Sequence, residues 1–256
     1  IFLGWLLAAA VGLPLITFVA SRYGWRMAYG GVGALACVSF VLLIWRLPRG
    51  LMGTPVDTKT WTGLANNRMV VLLLLITTLQ MSGQFVVFTF MGPLLTQLTG
   101  AGPNGIGLAF ALYGISGFVG IVIATRIVDG WGPFKTSLVF TLCLLAGVAG
   151  WAVTAGSFAL MAASVAMWGL GFASTNSMQQ VRLIAAAPAF AGASVSLNTS
   201  VLYVGQAIGS AIGGALFASG QLLAAGYVAA GFVALAFGVV VITGRISLPK
   251  PALQAS

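Results

Sequence analysis

Thr77, Gln80 and Gln84 recur at i, i+3 and i+7, the spacing that lines side chains along one face of an α-helix. Phe88 and Met91 continue that face. Thr199, Tyr203, Gln206 and Ser210 form a second stripe of the same kind, rotated about 100° from a neighbouring row of glycines. Tyr113 with Ser116, and Asn176 with Gln179, add two shorter pairs. Amides and hydroxyls donate and accept hydrogen bonds, so such stripes can hold a neutral polar partner. Acid–base chemistry has little to work with. There is no His, and the only carboxylates are Asp57 and Asp129. A nucleophile–base pair or a set of metal ligands cannot be assembled from these, which argues against an enzyme and leads us to expect no metal and no cofactor.

The segments that carry these stripes are apolar. The chain has 256 residues, of which 60% are hydrophobic and 5% charged; a soluble domain has about 25% charged residues with which to meet water. Runs of roughly 20 apolar residues, the length a helix needs to cross a bilayer, recur with short polar breaks. Spans are expected near 1–20, 27–46, 69–98, 105–127, 135–154, 157–182, 191–219 and 222–245. These runs are too long and too uniformly apolar for barrel strands. Inside a bilayer a large amide facing lipid would be unsatisfied, so the stripes must face other helices or a wet cavity. Ordinary interhelical hydrogen bonding, worth about 0.6 kcal/mol each, is the plainer reading. Cavity lining is the sharper one, and it is favoured for Gln84 and Gln206, both near mid-depth.

Eleven cations set the orientation. Arg46, Arg49, Lys59 and Arg68 share one gap, Arg126 and Lys135 another, Arg182 a third, and Arg245 with Lys250 follow the last span. The alternate gaps hold only Arg22 and Arg26. The positive-inside rule then makes the cation-bearing gaps and the C-terminus cytoplasmic. The cations are spread singly, which excludes a nucleic-acid footprint and leaves them near anionic lipid headgroups. Arg22, Arg26, Arg46 and Arg245 read as interface anchors. Cys37 and Cys143 fall within spans and read as small apolar fillers.

The longest polar interruption, 47–68, contains Pro48, Gly50, Gly53, Pro55 and the Asn66-Asn67 pair. It divides 1–46, two spans, from 69–245, six spans; 246–256 is a short tail. The six divide into three and three, and an odd-numbered triplet inverts its second copy, the arithmetic of an inverted repeat. Gly205, Gly209 and Gly213 form one flat face for close helix packing. Gly12 with Pro14, and Gly92 with Pro93, should bend or unwind their spans, because each proline removes a backbone donor.

Four stretches resemble one family. Val11-Gly12-Leu13-Pro14 followed by Gly24-Trp25-Arg26 is similar to the fifth-helix antiporter motif of the major facilitator superfamily. Phe90 to Gly100 resembles the end of its seventh helix, and Arg126 to Lys135 the second copy of its cytoplasmic motif. Ala193 to Gly214, with Ser196-Leu197-Asn198, resembles the eleventh helix of its drug:proton-antiporter branch, which holds arabinose-, sugar- and purine-efflux-like permeases. Two departures stand out. Ile16 replaces a usual glycine of the antiporter motif, and Thr125 and Gly130 replace the leading glycine and an arginine of the cytoplasmic motif.

The resemblance implies an all-α polytopic membrane fold, with the last eight of twelve helices on this chain. It implies a monomeric secondary transporter in the inner membrane that exports a small organic solute, such as a sugar, nucleoside or drug, in exchange for protons. The coupling acid is then expected outside this stretch, and Asn198 joins Gln80, Gln84, Tyr113, Asn176, Tyr203 and Gln206 as a cavity candidate. Arg126, Asp129, Gly132 and Lys135 become a cytoplasmic gating cluster, where the residues alone read Arg126 and Asp129 as a surface pair worth under about 1 kcal/mol. An uptake symporter, a uniporter or a non-transporting remnant are the competing readings.

Overall fold

The computed structural model describes residues 4, 7–46 and 57–245. Arg49, Lys250, residues 47–56 of the linker and the 246–256 tail lie outside the described residues, and so does the side chain of Lys59. Every element among the described residues is helical.

A π turn, Ala8–Gly12, opens the fold and runs into α1, Leu13–Tyr23. Pro14 has no N–H to give the Ala10 carbonyl, and the register slips so that the Leu13 N–H reaches Ala8; a wide turn beside a proline is the expected relief. Gly24, at φ 85°, then reverses the chain into α2, Trp25–Arg46. Of α2 only Ala28 is buried.

The linker holds a helix the sequence did not announce, α3, Thr58–Asn66. Asp57 caps it, its Oδ1 accepting from the Thr60 N–H at 2.9 Å and the Thr60 hydroxyl at 2.8 Å. Asn67 then caps α4, Arg68–Phe88, accepting from the Met69 and Val70 N–H groups. Its side-chain amide donates to the Ala186 carbonyl at 2.9 Å. One asparagine thus satisfies two of the free donors of a helix start and pins that start to a distant helix end.

The expected 69–98 span is two helices, α4 and α5, Met91–Thr99. The break falls at Thr89-Phe90 because Pro93 has no N–H for the Thr89 carbonyl and its ring crowds that turn. Next, α6, Pro103–Val153, is one assigned helix carrying two spans, bent at Gly132 (φ 78°, ψ 159°) with Pro133 directly after. Only glycine adopts that conformation without strain. Finally come α7, Phe158–Ala186, a 3-10 turn Pro188–Phe190, α8, Ala191–Ala218, and α9, Leu222–Gly244. Splitting α6 at its bend and counting the shorter Ala8–Tyr23 helix reproduces the eight expected spans.

α6 and α7 pack along most of their lengths, α4 is flanked by α8 and α9, and α1 lies on α6. The main core runs through Met81, Val86, Met91, Trp151, Trp168 and Phe172; a second cluster around Leu73, Ile76, Leu183 and Val240 closes one end. Lipid offers helices no hydrophobic reason to associate, so backbone proximity does the packing. On α8 the glycine row does this: a Cβ at Gly205, Gly209 or Gly213 would collide with the carbonyl of Thr78, Ser82 or Val86 on α4.

Candidate functional site

The polar side chains of α4 point inward as a ladder. Thr77, Gln80, Ser82 and Gln84 are all buried. Thr77 donates its hydroxyl to Asn198 Oδ1 of α8 at 2.7 Å. Gln80 donates from Nε2 to Thr141 Oγ1 of α6 at 3.1 Å. Gln84 donates to the Gln80 carbonyl at 3.0 Å and accepts from the Trp168 indole N–H of α7 at 2.8 Å. One helix face therefore reaches three neighbours, each at a different level.

Trp168 is enclosed by aromatic rings. Tyr113 meets it edge-on at 5.3 Å between centroids and Phe88 at 6.0 Å, while Tyr113 and Phe172 lie 5.7 Å apart. Edge-to-face contacts of this kind add to the area they bury and fix ring orientation. Along α7 the polar face continues with Asn176, which donates to the Phe172 carbonyl at 2.9 Å, and Gln179.

Among the described residues, four buried amide atoms have no hydrogen-bond partner: Gln80 Oε1, Asn176 Oδ1, Gln179 Nε2 and Asn198 Nδ2. That is two acceptors and two donors. Buried polar groups are nearly always paired, with protein, water or ligand, and each exception asks for an explanation.

The structure separates the seven cavity candidates. Gln80, Gln84, Tyr113, Asn176 and Asn198 are buried within the same set of helices. Gln206 is half-buried, and Tyr203 is 63% exposed on the side of α8 away from the glycine row. The α8 stripe is thus not one surface, because its glycine row and Asn198 turn toward α4 and carry Tyr203 outward. The buried side-chain partner of Gln84 is Trp168.

Around the α6 bend, Arg126, Asp129 and Lys135 are exposed, and Gly132 supplies the bend itself. Among the described residues Arg126 and Asp129 form no ion pair. Cys37 is exposed and Cys143 half-buried. Arg182 needs correction. Read as a cation in a gap, it lies inside α7 and is buried, donating to Thr243, Ser137 and Gln179. The helix runs past it to Ala186.

Sequence reading also missed Trp168 and Thr141. A signal for the first was present: Trp168, Phe172, Asn176, Gln179 and Arg182 fall at i, i+4, i+8, i+11 and i+14, one helical face. Nothing local marked Thr141, whose role depends on the rotation of another helix.

Comparison with known proteins supplies the context for this geometry. The family model described as Major Facilitator Superfamily matches residues 1–210 and, in a second overlapping register, 73–255. The inner membrane transport protein YdhP of Escherichia coli (strain K12) is 29% identical over 221 residues, 86% of this chain and 56% of YdhP. A probable sugar efflux transporter of Mannheimia succiniciproducens is 26% identical over 234 residues, 89% of this chain and 57% of its own. The purine ribonucleoside efflux pump NepI of Escherichia coli O6:H1 is 30% identical over 213 residues, 81% and 52%. The chain spans about half the length of the curated relatives it matches.

Proposed function

The chain belongs to the Major Facilitator Superfamily, and from that premise we propose that it is part of a multi-pass secondary transporter that exports a small, neutral, polar organic solute in exchange for protons. Alternating access about a midplane cavity would carry the solute across. The cation-bearing turns would face the cytoplasm.

The observation that carries the solute class is the set of orphaned amides. Leaving a buried donor or acceptor unmatched costs about 1–3 kcal/mol, and Gln80, Asn176, Gln179 and Asn198 each carry one such atom, two acceptors and two donors in all. A solute rich in hydroxyls or ring nitrogens, a sugar or a nucleoside, offers the complementary set. The ladder itself is built of uncharged amides and hydroxyls, which suits an uncharged solute; Asp57 and Asp129 are both exposed. The names of two relatives, a probable sugar efflux transporter and a purine ribonucleoside efflux pump, support the same class. Proton coupling, on this proposal, uses a carboxylate supplied by sequence beyond these residues.

The test is flux in everted membrane vesicles from cells expressing the whole gene, with radiolabelled sugars and nucleosides and an imposed pH gradient. Accumulation driven by an acidic interior is expected, and Gln80→Ala or Asn176→Ala should lower it by roughly tenfold or more, the loss of one buried hydrogen bond to substrate. Normal flux in both variants would remove the cluster from the pathway. Flux in the opposite direction would make the protein an uptake system.

A further inference from the structure

Among the described residues, Arg182 is the charged side chain that the fold buries, at 6% exposure. Its guanidinium has neutral partners only. One nitrogen donates to Thr243 Oγ1, the other to Ser137 Oγ and Gln179 Oε1, both at 3.5 Å, and the Phe134 ring centroid lies 5.4 Å from Cζ. Asp57 caps α3 and Asp129 is exposed, and neither is an ionic partner of Arg182. Burying an ion is costly unless a counter-charge comes with it.

Arg182 is not sealed in. It lines a pocket of about 400 Å³ formed where α6 bends at Gly132 and where the start of α4 and the ends of α7 and α9 converge. Lys135, exposed, lines the same pocket, as do Thr243 and the first turn of the helix restarting at Pro133. The remaining wall is apolar, with Leu73, Phe134 and Trp131, and Trp131 is half-exposed at the rim. Two cations, a hydroxyl and a helix start among otherwise apolar lining suit a phosphate group attached to something greasy. Arginine is the side chain best shaped to hold phosphate oxygens in its fork. A tryptophan at the rim belongs to the depth of the headgroups, and basic pockets between membrane helices are where anionic headgroups are recognised.

We propose that this pocket binds a phosphate group, supplied by an anionic phospholipid of the adjacent leaflet, with Arg182 as the buried ligand and Lys135 at the mouth. Bound there, the headgroup ties the α6 bend to the ends of α7 and α9 and stiffens that end of the helical bundle.

The experiment compares the purified full-length protein in phosphatidylcholine nanodiscs with and without phosphatidylglycerol, and in phosphatidylcholine with added inorganic phosphate. Thermal unfolding and lipid retention in native mass spectrometry are the readouts. Phosphatidylglycerol should raise Tm and stay bound, and Lys135→Gln, a surface change that leaves the fold intact, should weaken retention roughly tenfold, the loss of one charge-assisted contact. Arg182→Lys, which keeps the charge but loses the fork, should weaken it as well. Stabilisation by inorganic phosphate alone would keep the phosphate pocket and overturn the lipid as its source. Equal Tm in all three conditions, or retention indifferent to Lys135→Gln and Arg182→Lys, would overturn the pocket itself.

Discussion

Gln84 shows how a residue can be read correctly for its type and incompletely for its role. Its amide is fully buried, as a mid-span glutamine should be, and both ends are used, by the Gln80 carbonyl and the Trp168 indole. Trp168→Phe keeps most of the ring packing against Tyr113 and Phe88 but leaves Gln84 Oε1 without its donor. We expect a loss of stability of about 0.6–1.7 kcal/mol, the range for hydrogen bonds between membrane helices, read from denaturation in detergent. Gln84→Leu removes the acceptor instead and should strand the indole N–H at a similar cost. If the two losses add in the double variant, the 2.8 Å bond contributes nothing. Asn198 and Gln80 differ, since each keeps one orphaned atom; their substitution should change transport more than stability.

Helices meet here through absent side chains and interrupted hydrogen bonding. Gly209 stands against the Ser82 carbonyl, so Gly209→Val must push α8 off α4, and with it the Thr77–Asn198 bond. The expected outcome is a poorly folded protein, measured as loss of the monodisperse peak in size-exclusion chromatography. Gly192, where a Cβ would meet nothing, should tolerate Val without that loss. Pro93 makes the opposite case. Pro93→Ala restores an N–H to the turn after α4, and α4 and α5 should then join into one straighter helix. Amide hydrogen exchange at Thr89 and Phe90 should slow; unchanged exchange would mean that packing rather than the proline holds the break.

At the scale of the molecule, orientation and movement each make a measurable difference. Single cysteines at Ser157 and Gly220, on a background without Cys37 and Cys143, should react with impermeant maleimide from the outside of intact cells, and one at Thr125 only after the membrane is opened. The reverse pattern would invert the proposed topology. Asp129 is exposed next to the α6 bend and has no ion pair among the described residues, so Asp129→Asn should leave Tm unchanged. If the bend region gates the cytoplasmic side, the same change should slow transport severalfold; unchanged turnover would reduce Asp129 to a surface charge.

Much of this could be read from the chain alone, because the bilayer turns a global question into a local one. A backbone that crosses lipid must satisfy its own hydrogen bonds, so length and apolarity mark the spans, and Pro14 and Pro93 marked where two of them are interrupted; the helix in the linker and the last turn of α7 beyond Arg182 escaped. The residue types of the buried ladder were legible for the same reason, since an amide within a span must find a partner. Which partner it finds depends on the rotation and height of one helix against another, set by glycine contacts between α8 and α4 and by the bend at Gly132, and no local pattern encodes that. Hence Gln84 meets Trp168, Tyr203 turns outward, and Arg182, counted among the surface cations, lies buried beside a pocket.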